Sequence, residues 1–475
     1  MAEPHIVILG AGPAGLGAAF RLADRRQARV TVLERNSIVG GNAGSFELAG
    51  LRVDYGSHRL HPACDPEVLR DIREMLDGDL LDMPRHGRIR LRGHWIHFPL
   101  KPLDLALKLP PSFAFGVASD FAGKLLPHQK NDSNAETFSS ILEKGLGRTI
   151  CRDFYFPYAR KLWGLAPEEL SATQARRRVS AGSLAKMARK VLAAVPGFKP
   201  PGSGRFYYPR HGYGQICEAY CNAARKAGAE FHFNARVDSV EIKATGSTTV
   251  CYEHEGRSES ITADYVWSTI PITGLAKCLS PNVPSEYLEA AQRIDYRAMI
   301  LIYLVLDQDQ FTEYDAHYFP EGHIPISRLS EPKNYSGGKE PRNRTVLCAE
   351  LPCCPEDPEW TMTDAQLANL MCDALAAAGI PVRASILEVA SRRLRQAYPI
   401  YAQGYETHFQ QLDQWLSQID GLLTFGRQGL FAHDNTHHAL YMAYSAADCL
   451  DAGGRFDYDH WHEYRRIFET HVVED

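Results

Sequence analysis

A short apolar run leads directly into a glycine-rich turn near the start of the chain, and this arrangement constrains the fold more than any other feature. The run is His5-Ile-Val-Ile-Leu9, and Gly10-Ala-Gly-Pro-Ala-Gly15 follows it at once. An alanine-rich stretch to about Arg25 has the composition of a helix, and Val30-Thr-Val-Leu33 is a second apolar run. Continuous apolar runs of this length are typical of buried parallel strands. The order of strand, turn, helix and strand predicts an α/β protein with a Rossmann-like domain.

Each part of the turn suits the binding of a dinucleotide. Gly10 permits the tight turn, Gly12 lets the backbone approach a pyrophosphate, and Gly15 allows the helix to pack closely on the strand. The first helical turn, which contains Ala14, offers unpaired N–H groups to phosphate oxygens. Glu34 ends the second strand and can accept hydrogen bonds from a ribose diol. We therefore expect a dinucleotide site here rather than a glycine turn without a ligand.

The whole-chain composition narrows the class of protein. The 475 residues include 52 basic and 57 acidic side chains, so the chain lacks the basic excess of a nucleic-acid-binding protein. Eleven cysteines contain no C-x-x-C pair, which predicts reduced thiols in a cytoplasmic protein and no metal site. No apolar window is long enough for a transmembrane segment, and no secretory signal precedes the first strand.

The segment from Ile96 to Pro127 is apolar but contains lysine, aspartate and four interior prolines. It has two interpretations. It either lies on a membrane or on a lipid substrate, which would give the protein a peripheral membrane contact, or it forms short helices that pack on the core.

The residues after Glu34 distinguish the class of dinucleotide. Arg35-Asn-Ser-Ile-Val-Gly-Gly-Asn42 places two glycines just beyond the acid. This pattern resembles the FAD-binding family that includes amine oxidases, phytoene desaturases, protoporphyrinogen oxidase and UDP-galactopyranose mutase. The resemblance implies FAD as the cofactor, with Arg35, Gly41 and Asn42 beside it. It also implies a backbone contact of Val237 to the adenine side, and closure over the ribityl chain by Gly426 and Arg427. Because these segments lie far apart, the FAD domain is expected to be discontinuous.

Further segments resemble the UDP-galactopyranose mutase branch of that family. They are Gly40-Gly-Asn-Ala43, Tyr55-Gly-Ser-His-Arg-Leu-His61, Tyr158-Ala-Arg-Lys-Leu-Trp-Gly164, Asp295-Tyr-Arg297 and Pro325-Ile-Ser-Arg-Leu-Ser-Glu-Pro-Lys333. The resemblance implies that His58 lies against the flavin and that Arg328 binds a substrate diphosphate, which makes these two the candidate catalytic residues. Near the C-terminus the chain departs from the mutases. His433 replaces an expected phosphate-binding tyrosine and Asn435 replaces an expected acid, which leaves the substrate open.

Several of these candidates also have an ordinary structural interpretation. His58 either lies beside the flavin, with a near-neutral pKa that responds to its redox state, or makes a structural hydrogen bond. Arg328 pairs either with Glu331 or with a substrate phosphate, since an unpaired buried arginine is costly. Tyr158, Trp163 and Tyr208 either contact substrate or pack in the core. Arg427 is assigned to the flavin or to substrate phosphates, and one residue of Arg176-Arg-Arg178 could meet a phosphate.

The expected architecture is a discontinuous Rossmann-like FAD domain with a mixed-sheet substrate domain and a helical cap. Its segments are 1–95, 206–275 and 421–475 for FAD, 96–205 for the cap and 276–420 for an antiparallel substrate sheet. Two functions fit. One is a mutase-like enzyme that acts through flavin N5 on a small-molecule substrate, a sugar nucleotide or related diphosphate, and needs an electron donor to reduce the flavin. The other is an oxidase or desaturase of an amine, polyene or porphyrinogen. The sequence leaves the oligomeric state open.

Overall fold

The computed structural model describes residues 3–125, 136–178, 204–242, 247–280, 283–338 and 340–473. Helices and several mixed sheets alternate along the chain, so the predicted α/β class is confirmed. The strands are β1 (His5–Leu9), β2 (Arg29–Leu33), β3 (Ser45–Leu48), β4 (Leu51–Asp54), β5 (Leu80–Pro84), β6 (Gly87–Leu91), β7 (His94–Phe98), β8 (Arg205–Pro209), β9 (Glu230–His232), β10 (Ala235–Ile242), β11 (Thr248–His254), β12 (Arg257–Ala263), β13 (Tyr265–Ser268), β14 (Leu279–Ser280), β15 (Tyr296–Leu306), β16 (Ala316–Tyr318), β17 (Arg328–Ser330), β18 (Thr345–Cys353), β19 (Ile386–Pro399) and β20 (Leu422–Thr424).

The helices connect these strands and cover the sheets. They span Pro13–Asp24, Pro66–Leu76, Pro102–Lys108, Pro111–Leu125, Phe138–Leu146, Arg148–Ile150, Phe156–Trp163, Ala172–Arg178, Gln215–Lys226, Ile272–Cys278, Ser285–Gln292, Lys333–Ser336, Asp364–Ala377, Tyr405–Ser417, Gly426–Gly429, Thr436–Asp448 and Tyr458–Phe468. A π-helical turn occupies Cys151–Tyr155, and 3₁₀ turns occupy Gly41–Ala43 and Pro358–Thr361. In the described parts of the chain, none of these helices has the length and apolarity that crossing a membrane requires.

A five-stranded parallel sheet carries the glycine turn. Its order is β20-β13-β1-β2-β9, so it unites strands from three distant parts of the chain. All of β1 is buried, because helices cover both faces of the sheet. The helix Pro13–Asp24 packs between Gln215–Lys226 and Thr436–Asp448 on one face. The glycine turn therefore stands at the carboxyl end of the central strand, where open α/β sheets bind their ligands.

A seven-stranded sheet in the order β19-β15-β18-β17-β16-β6-β7 forms the second large layer. Strands β15 and β18 pair antiparallel, as the apolar runs predicted. The sheet is mixed because β16 pairs parallel with β6. The helix Asp364–Ala377 packs on one face. Arg328 in β17 and Glu350 in the neighbouring strand β18 lie opposite each other, which places a charge pair at the middle of this sheet.

The segment between the two sheets is largely helical from Pro102 to Arg178 in its described part. The expected helical region begins later than Ile96, because β6 and β7 form a hairpin in the seven-stranded sheet. The proposed boundary between residues 95 and 96 falls within that hairpin. Residues 126–135 and 179–203 lie outside the described residues, and so does the end of the predicted apolar segment at Pro127.

Candidate functional site

A cavity of about 3070 Å³ lies where the glycine turn, the seven-stranded sheet and the helical region meet. Most of the residues singled out from the sequence line it. They are Gly10, Gly12, Ala14, Glu34, Arg35, Gly41, Asn42, His58, Tyr158, Trp163, Val237, Arg328, Arg427 and Asn435. Gly15, Tyr208, Gly426 and His433 do not line it.

The glycine turn has the shape that a bound dinucleotide requires. A side chain at Gly12 would meet no atom within 4 Å and would project into open space, so the backbone is free to approach a ligand. A Cβ at Gly15 would lie 1.9 Å from the carbonyl oxygen of Gly10, which explains the absence of a side chain where helix and strand touch. The helix starts at Pro13 and directs its free N–H groups at the cavity wall. The turn thus fits the pyrophosphate of FAD.

Glu34 is buried beneath the turn and fixes its geometry. Its carboxylate accepts hydrogen bonds from the backbone N–H of Ala11 at 2.8 Å and of Asn36 at 2.9 Å. Oε1 also accepts from the side-chain amide of Asn36 at 2.7 Å, so Oε2 is the oxygen that retains a lone pair for a ribose hydroxyl. Gly41 has φ +52°, and a Cβ atom built on it would lie 3.8 Å from the Cα of Gly12. The segment that contains Gly41 therefore passes close to the glycine turn. The residues around the turn therefore suit the adenosine half of the cofactor.

His58 lies further along the cavity, stacked on Tyr213 with ring centroids 5.3 Å apart. Its Nδ1 atom is buried without a hydrogen-bond partner among the described residues. Burial, reinforced by the charges of Arg328 and Arg427, lowers the pKa of His58 to about 3. The expected near-neutral pKa is therefore wrong for the protein in this state, and His58 is a neutral imidazole at physiological pH.

Arg328 is held by Glu350 and not by Glu331. The guanidinium donates from Nε and Nη2 to both carboxylate oxygens of Glu350 at 3.0 and 2.9 Å. Glu331 instead accepts hydrogen bonds from the backbone of Phe311 and Thr312, so the pairing considered from the sequence is wrong. Glu350 also accepts from the backbone N–H of Ser57, which fixes the loop that carries His58. The Nη1 group of Arg328 has no hydrogen-bond partner within the described ranges and stands at the cavity wall.

Two further arginines complete a cationic wall around Tyr398. The guanidinium carbons of Arg427 and Arg178 lie 5.2 and 5.6 Å from the centroid of this ring. Arg427 donates only to the backbone carbonyls of Asp434 and Ala397, and its Nε atom is buried without a partner. Burial and the neighbouring Arg178 lower the pKa of Arg427. Neither Arg427 nor Arg178 has a carboxylate partner within 4.0 Å in the described part of the chain. We call Arg178, Arg328 and Arg427 the arginine wall.

Tyr208 does not contact the cavity, so its expected substrate role is not supported. Its side chain is 1% exposed, and its hydroxyl donates to Asp54 at 2.6 Å. Burial raises the pKa of Asp54 to about 6. Tyr208 is therefore part of the core beneath the site, because the β5–β8 pair turns it inward.

His433 also lies behind the wall and not at its surface. It is 1% exposed, and its Nε2 atom shares a hydrogen bond with the side chain of Gln174 at 3.0 Å. Tyr401 packs edge-on against the ring with centroids 4.7 Å apart. These contacts exclude His433 from the phosphate-binding position that the spacing suggested. Asn435 does reach the cavity, where it caps the helix Thr436–Asp448.

Tyr158 and Trp163 both reach the cavity and pack in the core, so each fits both interpretations considered for it, contact with substrate and core packing. Both line the cavity, yet Trp163 is only 5% exposed and packs against Phe138 with ring centroids 5.7 Å apart. Tyr158 stacks on Phe154 at 6.0 Å, and burial raises its pKa beyond the ordinary range. Each ring thus presents an edge to the cavity and its body to the core.

Sequence reasoning missed two residues of the site and one cluster. Glu350 and Tyr398 carry no local motif. Arg178 was a candidate but was not separable from Arg176 and Arg177, which bind Glu136 and Tyr401 instead. Asp434, His438 and His471 also meet, with possible metal-ligand atoms within 4.8 Å of one another. Their separation along the chain gave no signal, because the last of them comes from beyond the final helix.

Comparison with known proteins agrees with this geometry. The chain matches flavin-containing amine oxidoreductases over residues 13–454. It belongs to this family. The crystal structure of reduced UDP-galactopyranose mutase superposes with a TM-score of 0.81 at 20% identity, over 99% of this chain and 100% of that one. The expected family and its fold are confirmed, and the protein is an FAD-dependent enzyme.

Sequence relatives have several different chemistries. The phytoene desaturase of Fusarium fujikuroi is 25% identical over 266 residues, which are 51% of this chain and 45% of that protein. The coproporphyrinogen III oxidase of Propionibacterium freudenreichii subsp. freudenreichii is 24% identical over 407 residues, covering 76% of this chain and 74% of that one. These desaturases match about half of this chain, and the chain spans only 45% to 54% of their own length.

Proposed function

We propose that the protein uses reduced FAD to isomerise a sugar carried on a diphosphate, as in a nucleotide sugar. The observation that carries the proposal is Arg427, a cation at the cavity wall with no carboxylate partner among the described residues. A buried charge without a counterion is costly, and a ligand anion removes that cost. The arginine wall therefore favours a substrate with a concentrated negative charge.

The planar guanidinium groups suit a diphosphate better than a single carboxylate. Each can donate two parallel hydrogen bonds to phosphate oxygens, and Arg328 retains its Nη1 group for this purpose. Positive charge at this position stabilises the negative charge that develops on a departing diphosphate. Reduced FAD would supply a nucleophilic N5 atom beside the sugar, while the protein binds and orients the substrate.

His58 contributes a neutral imidazole to the same part of the cavity. Because its pKa lies at about 3 in this structure, it neither repels the arginine wall nor adds a second charge. Its free Nδ1 atom can accept or donate one hydrogen bond, depending on the tautomer. We propose that this atom contacts the flavin or the substrate.

Anaerobic turnover tests the proposal directly. The purified FAD-loaded protein is reduced without oxygen and supplied with UDP-galactose and related nucleotide sugars, and the products are separated by chromatography. We expect a ring-contracted furanose product with the reduced protein and none with the oxidised protein. Turnover that requires the oxidised protein and an electron acceptor would contradict the proposal.

The apolar part of the cavity favours a second candidate, the oxidation or desaturation of an apolar substrate. Residues such as Ile96, Phe98 and Phe154 line it and would accept a polyene or a porphyrinogen. This function predicts consumption of oxygen or a quinone in the same assay. It gives no role to the unpaired arginines, and for that reason we rank it second. A cytoplasmic location is part of the proposal, and all eleven cysteines are free thiols.

A further inference from the structure

One end of the cavity is apolar in a way that a sugar nucleotide would not use. Ile96, Phe98, Leu105, Phe113 and Phe154 line it, and we call these five residues the apolar chamber. They belong to one hydrophobic cluster built on the β6–β7 hairpin and the two helices that follow it. The whole cavity measures about 3070 Å³, whereas pockets for small ligands usually measure about 300–1,000 Å³. A cavity of this size can hold a further group besides FAD and a sugar diphosphate.

The chamber adjoins the arginine wall through Tyr318. The guanidinium carbon of Arg328 lies 5.9 Å from the centroid of this ring, and the Phe98 ring lies 5.4 Å from it on the apolar side. Tyr158 provides a second connection, since it stacks on Phe154 and lines the same cavity. An anion on the arginines and an apolar group in the chamber would therefore lie within one molecule's reach.

The outer surface of the same two helices is also apolar. Leu107 and Phe115 are 80% and 77% exposed, close in sequence to the chamber residues Leu105 and Phe113. Exposed apolar side chains that lie together on one surface can mark a site of contact with a membrane. A substrate that resides in a lipid surface would explain both the exposed residues and the chamber behind them.

We propose that the substrate is an amphiphile, in which the diphosphate carries a long hydrocarbon chain and the chain occupies the apolar chamber. This inference rests on the proposed function, because it assigns the diphosphate to the arginine wall. A nucleoside in the same place would lay its base against phenylalanine and leucine side chains, which offer it no hydrogen bonds, and its polar groups would depend on Lys101 and Asp104, which also line the cavity. A chain of isoprenoid or acyl type buries only apolar surface there.

Chain-length dependence tests the inference. The FAD-loaded protein is titrated by calorimetry with pyrophosphate, UDP, geranyl diphosphate, geranylgeranyl diphosphate and geranylgeraniol, each below its micelle concentration. Since each buried methylene contributes to affinity, we expect the twenty-carbon compound to bind at least about tenfold tighter than the ten-carbon compound. We also expect it to bind at least about a hundredfold tighter than pyrophosphate.

Two substitutions on one helix provide the variant and its control. Leu105→Asn places an amide in the chamber and should remove the chain-length dependence while leaving the affinity for pyrophosphate unchanged. Leu107→Asn makes the same change at an exposed position and should behave as the native protein does in these lipid-free titrations. Retention of FAD and the melting temperature of each variant establish that it is folded.

The outcomes separate the two proposals. Equal affinity for pyrophosphate and both prenyl compounds, or tighter binding of UDP than of the twenty-carbon compound, overturns the inference and leaves the proposed function standing. Equal binding of geranylgeraniol and its diphosphate also overturns it, because the chain alone would then account for the affinity. Absence of binding by every diphosphate, including pyrophosphate, overturns the proposed function itself.

Discussion

Substituting Arg427 with glutamine removes one cation from the arginine wall and keeps a shorter, polar side chain in its place. A hydrogen bond to a charged group contributes about 1.5–3 kcal/mol, so the loss should weaken binding of UDP or pyrophosphate by about 10- to 150-fold. The folded protein should change little in stability. Two hydrogen bonds to backbone carbonyls are lost, at about 1 kcal/mol each, but an unpaired charge is relieved at the same time.

Calorimetric titration of the oxidised, FAD-loaded variant measures this change, and the flavin absorbance gives its FAD content. Arg393→Gln is the matched control. Arg393 also lines the cavity and also donates to two backbone carbonyls, those of Trp360 and Met362, but it is exposed to solvent whereas Arg427 is buried. If both variants lose affinity equally, the effect is one of overall charge. Native affinity of the Arg427→Gln variant for both anions would refute the reasoning, and loss of FAD would assign Arg427 to the cofactor instead.

Three further predictions follow from the same geometry. Gly12→Val should give a folded protein without bound FAD, seen as loss of the flavin absorbance at a native melting temperature, because its side chain meets only the open cavity. Glu350→Gln should lower the free energy of unfolding by about 3 kcal/mol in urea denaturation, since it leaves Arg328 unpaired while one face of that arginine keeps contact with the cavity. Between pH 6 and 4 the protein should lose stability as the pH falls, measured by the same denaturation.

The sign of the acid effect follows from which state binds more protons. Burial lowers the pKa values of His58, His437 and His438 to about 3, 4 and 2, so near pH 5 these side chains bind protons only after unfolding. Asp54 opposes them, because its folded pKa of about 6 lets the native protein bind one proton there. The three histidines outweigh Asp54, and His317 and His433, whose pKa values burial also lowers, act in the same direction, so unfolding takes up protons. Stability that rises on acidification, or stays constant, would contradict this.

Controls accompany the other two substitutions. Gly322→Val places the same side chain where no atom lies within 4 Å on an exposed loop, and it should retain FAD. A Gly12→Val variant that binds FAD normally would contradict the role of the turn. For Glu350→Gln, unchanged unfolding would show that cavity water already stabilises Arg328. Added pyrophosphate should restore part of the lost stability, because it replaces the missing anion.

The parts of the fold that depend on local sequence were predictable. The strand before Gly10 and the helix after Pro13 are determined by short apolar and alanine-rich runs together with the glycine spacing. The sequence also predicted antiparallel strands between residues 276 and 420, where β15 and β18 pair antiparallel. Periodicity and composition carry this information within ten or so residues.

The contacts that decide the chemistry mostly join residues far apart in the sequence, and no local sequence pattern indicates them. Arg328 lay three residues from Glu331 in the sequence, but the sheet register places Glu350 opposite it. The pKa of His58 depends on its burial beside two arginines, which no pattern around it indicated. Spacing placed His433 at a phosphate, whereas packing against Tyr401 turned it inward. Such errors arise where tertiary contacts override local spacing.

The parallel sheet that joins β1, β13 and β20 also constrains how the protein acquires its cofactor. Gly10 and Arg427 lie 417 positions apart in the chain. At ordinary rates of synthesis, about 5–20 residues per second, the ribosome adds Arg427 roughly 20–80 s after Gly10. During that interval β1 lacks the helix Thr436–Asp448 that covers its own helix. Stable insertion of FAD is therefore a late event, and the newly made N-terminal segment depends on chaperones or on transient neighbours until the last strand arrives.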